Sequence, residues 1–277
     1  MNIGCHVSIA GGIFNAPQRA ADLSCEAMQI FTRSPQGGKG SELTNQIISE
    51  FKSECEKNKI KEVYVHTPFY INYASADNRI RHGTVSIVRD ELERASLLGA
   101  KYVMTHLGSA GELSEDEATE KVAEMLKKTL EGYTGSAELL LENAAGSGKI
   151  IGATFSQLAQ IIKLVNHTRL VGICLDTQHS FASGYDWRDS ENTLKQNDSE
   201  IGMENIKLIH CNDSLTECGS KKDRHTHIGK GLIGKEAFQN ITAFAEKNNI
   251  DLICETEYDE VADDIALLKK FREDNIL

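Results

Sequence analysis

Apolar residues fall in short, nearly continuous runs, and longer stretches with charged faces separate them. The runs are IGCHV (3–7), AMQIFT (27–32), EVYVHT (62–67), YVMTHL (102–107), ELLLEN (138–143), VGICLD (171–176), IKLIHC (206–211) and DLICET (251–256). Runs of this length with little polar alternation suit strands covered on both faces, as in a parallel sheet. The intervening stretches repeat apolar residues at helical spacing, most clearly at 83–98, 114–131 and 259–271. Ser114 with Glu117 three residues on predicts a capping box at the start of the second. Eight strands alternating with helices predict an α/β protein, a (β/α)8 TIM barrel. A doubly wound open sheet is the alternative, but no glycine-rich dinucleotide or phosphate-loop fingerprint supports it.

The chain has 277 residues, an ordinary length for one such barrel, and no linker or low-complexity stretch interrupts it. One domain over 1–277 is the economical reading. No apolar run approaches the ~20 residues that span a bilayer, and MNIGCHVSIAGG lacks the basic start and apolar block of a secretory leader. Seven cysteines, an odd number with no CxxC pair, point to a reducing, cytoplasmic compartment. The net charge of −11 argues against a surface that is basic throughout. It leaves nucleic acid open, because bound metal ions add positive charge outside that count.

The candidate chemistry lies where the apolar runs stop. The third run reaches His66, the fourth His106 and the fifth Glu142-Asn143. The sixth reaches Asp176 with His179 just beyond, the seventh His210 followed by Asn212 and Asp213, and the eighth Glu255. A barrel gathers these ends on one face, where active sites are built. A lone histidine at a strand end is ordinarily a satisfied core residue. Six successive runs ending in imidazole or carboxylate are a pattern. Neutral imidazole and carboxylate suit zinc or another borderline divalent ion. DRHTHIGKG (223–231) adds Asp223, His225 and His227 at alternate positions, which share a face in extended chain. The donors outnumber what one ion takes, so a cluster of two or three is implied, with Glu142 and Glu255 as candidate bridging carboxylates. Clustered divalent ions suit phosphoester hydrolysis.

Longer stretches carry a resemblance: GCHVSIAGGIFNAPQRA (4–20), QIFTRSP (29–35), VHTPFYINYAS (65–75), THLGS (105–109), LENAAGSG (141–148), CLDTQHSFASGYD (174–186), HCNDS (210–214), DRHTHIGKGLIG (223–234) and ICETE (253–257). Nearly end to end, the chain resembles endonuclease IV, the zinc-dependent apurinic/apyrimidinic endonuclease family of base-excision repair. The resemblance implies a (β/α)8 barrel with three zinc ions, or manganese as the alternative at one site. His66, His106 and Glu142 would hold the first ion. Asp176, His210 and Glu255 would hold the second, with Glu142 bridging, and His179, Asp223 and His225 the third. Glu142 and Glu255 would be the catalytic carboxylates. His227 is then surplus to the ligand count.

The implied substrate is double-stranded DNA containing abasic sites, cut on the 5′ side of the lesion to leave a 3′-hydroxyl and a 5′-deoxyribose phosphate. Trimming of blocked 3′ ends, a monomeric state and a cytoplasmic, nucleoid-associated location are also implied. Gln36, Gly37 and Gly38, with Lys39 next, stand where family members commonly carry an arginine or aromatics that enter DNA. Gln36, Lys39, Phe69 and Tyr70 are the candidate DNA contacts, the last two as wedges. Leu107 and Glu257 replace prolines usual in the family, and Cys211 a common leucine. A metal-dependent sugar isomerase or epimerase of the same barrel class is the rival. It gathers similar residues around one ion and needs no third donor set.

Overall fold

The computed structural model describes residues 1–274. In chain order its main elements are β1 (Ile3–His6), α1 (Ala16–Asp22), β2 (Ala27–Ile30), α2 (Asn45–Lys57), β3 (Glu62–His66) and α3 (Asn78–Leu98). Then come β4 (Tyr102–Thr105), α4 (Glu115–Leu130), β5 (Glu138–Glu142), α5 (Phe155–Val165), β6 (Leu170–Asp176), α6 (Thr177–Ser183) and α7 (Ser190–Ile201). The chain finishes with β7 (Ile206–His210), β8 (Asp213–Ser214), β9 (His225–Thr226), α8 (Lys235–Asn248), β10 (Asp251–Cys254) and α9 (Val261–Asp274). Eight strands, all but β8 and β9, close a parallel barrel in the order β1-β10-β7-β6-β5-β4-β3-β2. All eight predicted strands and the three marked helices are present, with boundaries shifted by a few residues. The third marked helix begins at Val261 and runs to Asp274, and the first begins at Asn78.

Strand pleating sorts each run into an inward and an outward set. Ala27, Tyr64, Met104, Leu140, Cys174, Leu208 and Ile253 fill the barrel interior as one buried layer. Their neighbours Val63, Val65, Val103, Leu139, Leu141, Ile173, Leu175, Ile209 and Leu252 face outward and pack under the helices. That double burial is why the runs read as almost continuously apolar. The helices start where local chemistry satisfies their first amides. Ser114 and Glu117 form the predicted capping box on α4, and Thr44, Asp77 and Thr154 cap α2, α3 and α5 with their side-chain oxygens.

Beyond the barrel, β8 and β9 form a short antiparallel ribbon with Asp213 opposite Thr226 and Ser214 opposite His225. This ribbon returns the long loop after β7 to the barrel mouth. The DRHTHIGKG stretch is therefore extended over only two residues.

Candidate metal centre

The inner apolar layer has a polar counterpart two residues further along seven of the eight barrel strands. Ala27 is followed by Gln29, Tyr64 by His66, Met104 by His106, Leu140 by Glu142, Cys174 by Asp176, Leu208 by His210 and Ile253 by Glu255. A period of two keeps each pair on the same face. The carboxyl-terminal end of the barrel is thus floored by hydrocarbon and topped by imidazole and carboxylate.

Among the described residues, three groups bring potential ligand atoms within 4.8 Å of one another: His66, His106 and Glu142; Glu142, Asp176, His210 and Glu255; and Asp176, His179 and His225. Glu142 is only 1 % exposed and belongs to the first two. Its Oε2 lies 2.8 Å from His66 Nε2 and 3.4 Å from His106 Nε2, while Oε1 lies 3.0 Å from His210 Nδ1. Glu255 Oε2 is 3.2 Å from the same His210 nitrogen. Asp223 is exposed, yet its oxygens lie 3.4 Å from His179 Nε2 and 3.3 Å from His225 Nε2, and those two imidazole nitrogens are 3.4 Å apart. All nine residues singled out as ligand candidates in the sequence therefore meet at the barrel mouth.

Local geometry explains how they are held. Asp176 ends β6 and caps α6, its Oδ1 accepting the His179 amide at 2.7 Å. One carboxylate thus turns strand into helix and sets His179 three residues on. Asn143 and the Asp176 backbone exchange two hydrogen bonds, of 2.7 and 3.1 Å, which lock β5 to β6. Asn212 donates to Asp176 Oδ2 at 2.7 Å and accepts the Glu255 amide at 2.8 Å. Gln29 donates to Glu255 Oε1 at 2.6 Å, and its Oε1 lies 2.7 Å from His210 Nε2. These three amides orient the acids, and sequence reasoning had passed over their roles. Gln29 was detectable as a polar residue inside an apolar run, and the two asparagines as neighbours of candidate ligands.

The electrostatics are those of a site short of positive charge. Burial alone would raise the Glu142 carboxyl, but His106, His210 and His66 more than offset it and hold it well below the usual carboxylate range. Burial likewise opposes protonation of His179, yet Asp176, Asp223 and Glu142 push it up to about 10. His210 is raised well above its ordinary value against its own burial by Cys174, Glu255 and Glu142. Among the described residues, imidazoles are the groups that face the Glu142 carboxylate. Divalent ions would replace the protons those imidazoles carry, releasing them on binding. The donor chemistry, the shared carboxylate and the fixed outer amides all fit that exchange.

His227 does not join the cluster. Its Nδ1 lies 2.7 Å from Asp264 Oδ2 on α9, and Asp264 also accepts from the Ile228 amide and the Thr256 hydroxyl. The strand ends at Thr226, so the alternation expected to set His227 beside His225 is not kept, and α9 supplies His227 with a different partner. Asp213, fully buried, gathers the amides of Ser214, Gly229, Gly231, Ile233 and Gly234. A side chain at Gly231 would collide with that carboxylate, so glycine is required there.

Around the mouth, Phe69 is 65 % exposed and Tyr70 is exposed beside it. Phe69 stacks edge-on against Phe31, which in turn meets His6 and His66. Gln36 and Lys39 are exposed on the loop between β2 and α2. The base of that loop is buried and ionic, with Arg33 paired to Asp90 and Glu91 and Arg94 bound to the Thr32 and Ser41 carbonyls. A cavity of about 530 Å³ lies between the loops that follow β4 and β5, with Lys149 and Lys221 in its wall.

Fold and site together define a TIM barrel whose mouth holds a buried imidazole–carboxylate cluster suited to divalent metals. Residues 17–273 match the family model described as Xylose isomerase-like TIM barrel. The probable endonuclease 4 of Cenarchaeum symbiosum is 36 % identical, with 98 % of this chain and 99 % of that protein covered. The crystal structure of endonuclease IV from Thermus thermophilus superposes with a TM-score of 0.88 at 29 % identity, covering 99 % and 100 % of the two chains. The chain belongs to the endonuclease IV family. A D-tagatose 3-epimerase-like protein, at 23 % identity and a TM-score of 0.76 over 100 % and 98 % of the chains, shares the fold.

Proposed function

We propose that this protein is an apurinic/apyrimidinic endonuclease. It hydrolyses the phosphodiester on the 5′ side of an abasic site in duplex DNA, leaving a 3′-hydroxyl and a 5′-deoxyribose phosphate, and trims blocked 3′ ends by the same chemistry. It acts as a single barrel domain, a monomer, in the cytoplasm at the nucleoid.

The observation that carries this reading is the continuity of donors through Glu142 and on to Asp223 and His225. A sugar epimerase needs one ion, and this mouth offers donors for more. His66, His106 and Glu142 would hold one ion; Glu142, Asp176, His210 and Glu255 a second; His179, Asp223 and His225 a third. Zinc suits this imidazole and carboxylate set, with manganese the alternative at one position. Bound there, the ions would supply Lewis-acid charge for the phosphoryl and leaving oxygens and make water acidic enough to attack at neutral pH.

The chain's own residues do the positioning. Glu142 presents its two oxygens to different imidazoles, so one rigid carboxylate serves two donor groups. Glu255, with Oε1 held by Gln29, orients the attacking water and takes its proton. Phe69 and Tyr70 stand as wedges into a duplex. An abasic nucleotide has no base to unstack, so its extrusion costs less than flipping an intact one. Gln36 and Lys39 contact the backbone from the β2–α2 loop. Three divalent ions would take the net charge from −11 to about −5, and four acids are used as ligands, which eases the approach of DNA.

The test is a duplex carrying one tetrahydrofuran abasic analogue, incubated with and without chelator, together with elemental analysis. Chelator-sensitive nicking 5′ to the analogue and about three zinc per chain support the proposal. About one ion per chain and no nicking would move the chain to the isomerase and epimerase class.

A further inference from the structure

Five of the seven cysteines are buried, and two of them touch: Cys5 Sγ and Cys25 Sγ are 3.6 Å apart. None of the three groups of converging donor atoms among the described residues contains a thiol. Metal binding at the barrel mouth therefore gives this contact no role. The pair lies in the outer hydrophobic layer, where β1 meets the chain about to enter β2. We propose that Cys5 and Cys25 are a modification site: hydrogen peroxide converts this thiol pair into a disulfide, and a thiol reductant restores the pair.

The two sulfurs differ in a way that orders the steps. Cys5 has no exposed surface and is fixed in β1, opposite Cys254 on one side and Met28 on the other. Cys25 is 7 % exposed and lies in the turn between α1 and β2, next to Ser24, which takes a left-handed φ of 62°. A disulfide needs the sulfurs about 2.05 Å apart. Cys25, outside the barrel strands, is the partner that would have to approach. Contact with the Cys5 thiol also favours the Cys25 thiolate, the nucleophilic form.

Cys25 sulfur attacks one peroxide oxygen, the O–O bond breaks, and the other oxygen leaves as water after taking a proton. Cys25 is then a sulfenic acid. Cys5 sulfur attacks the Cys25 sulfur and forms the S–S bond. The sulfenic hydroxyl leaves as a second water with the Cys5 proton. Two thiols lose two electrons and two protons, and one peroxide becomes two waters.

The experiment needs no incision assay, so it is independent of the function proposed above. Purified metal-loaded protein is treated with hydrogen peroxide, alkylated, digested with trypsin without reduction and mapped by mass spectrometry. The two cysteines fall in different tryptic peptides, 1–19 and 20–33. We expect those peptides joined, free thiols falling from seven to five, an intact mass lower by two hydrogens and a higher thermal midpoint, all reversed by dithiothreitol. Cys25→Ala should keep the other thiols free under the same treatment. Joining of Cys5 to Cys254, stable sulfinic acid on Cys25 without a cross-link, or oxidation confined to the partly exposed Cys218 would each overturn the proposal.

Discussion

A carboxylate at 1 % exposure keeps its charge only where charged or hydrogen-bonding partners replace water, and Glu142 has an imidazole at each oxygen. Glu142→Gln keeps the shape and removes the charge that two donor groups share. Incision of an abasic duplex should fall by about 10³-fold or more, and metal content should drop with it, read by elemental analysis beside the activity assay. The two histidines of DRHTHIGKG separate in the same measurement. His225→Ala should lose one ion, because its Nε2 lies 3.4 Å from that of His179. His227→Ala should keep the full metal content and lose stability, about 1–2 kcal/mol, because Asp264 loses a buried partner. An ion lost from His227→Ala would place the third donor group elsewhere.

Among the elements, the β8–β9 ribbon and the loop after it depend on Asp213. Five backbone amides converge on that one buried carboxylate. Asp213→Ala would leave them without that acceptor. We expect a loss of about 3 kcal/mol or more in urea unfolding, and weaker retention of the ion assigned to His179, Asp223 and His225 during dialysis. Undiminished stability would mean that the glycine-rich loop holds its shape unaided. The sequence marked Asp213 only as a neighbour of His210. Its role depends on residues up to 21 positions away, which local pattern does not encode.

For the whole molecule, closure of the barrel brings α9 against the start of the chain. Arg272 of α9 pairs with Glu26 just before β2 and donates to the Met1 carbonyl. Burial tends to raise the Glu26 carboxyl, but the Arg272 hydrogen bond and charge outweigh it, so the folded value lies below the ordinary one. A group lowered in this way stabilises the fold above its unfolded pKa, near 4.5. The contribution fades as pH falls through the lower folded value. Glu26→Gln should therefore lower the thermal midpoint at pH 7, with the gap to the parent protein narrowing below about pH 4. Thermal melts across that range check it, and a gap independent of pH would assign the effect to packing.

The eight buried strands, the three marked helices and the polar step at six of the strand ends were legible in the sequence. Burial on both faces writes itself as apolar runs, and a period of two carries each inner apolar residue to a donor two places on. That local code pointed to the barrel class and to the strand-end donors, and the family resemblance narrowed the ligand candidates to nine. Only the tertiary structure decided which donors meet. Glu142 joins two groups because β5 lies between β4 and β6, and His227 turns away from His225 because α9 brings Asp264 to it. The orienting amides of Gln29, Asn143 and Asn212 and the contact of Cys5 with Cys25 arise the same way. Each depends on ring closure and helix packing, which set distances between residues that no local spacing relates.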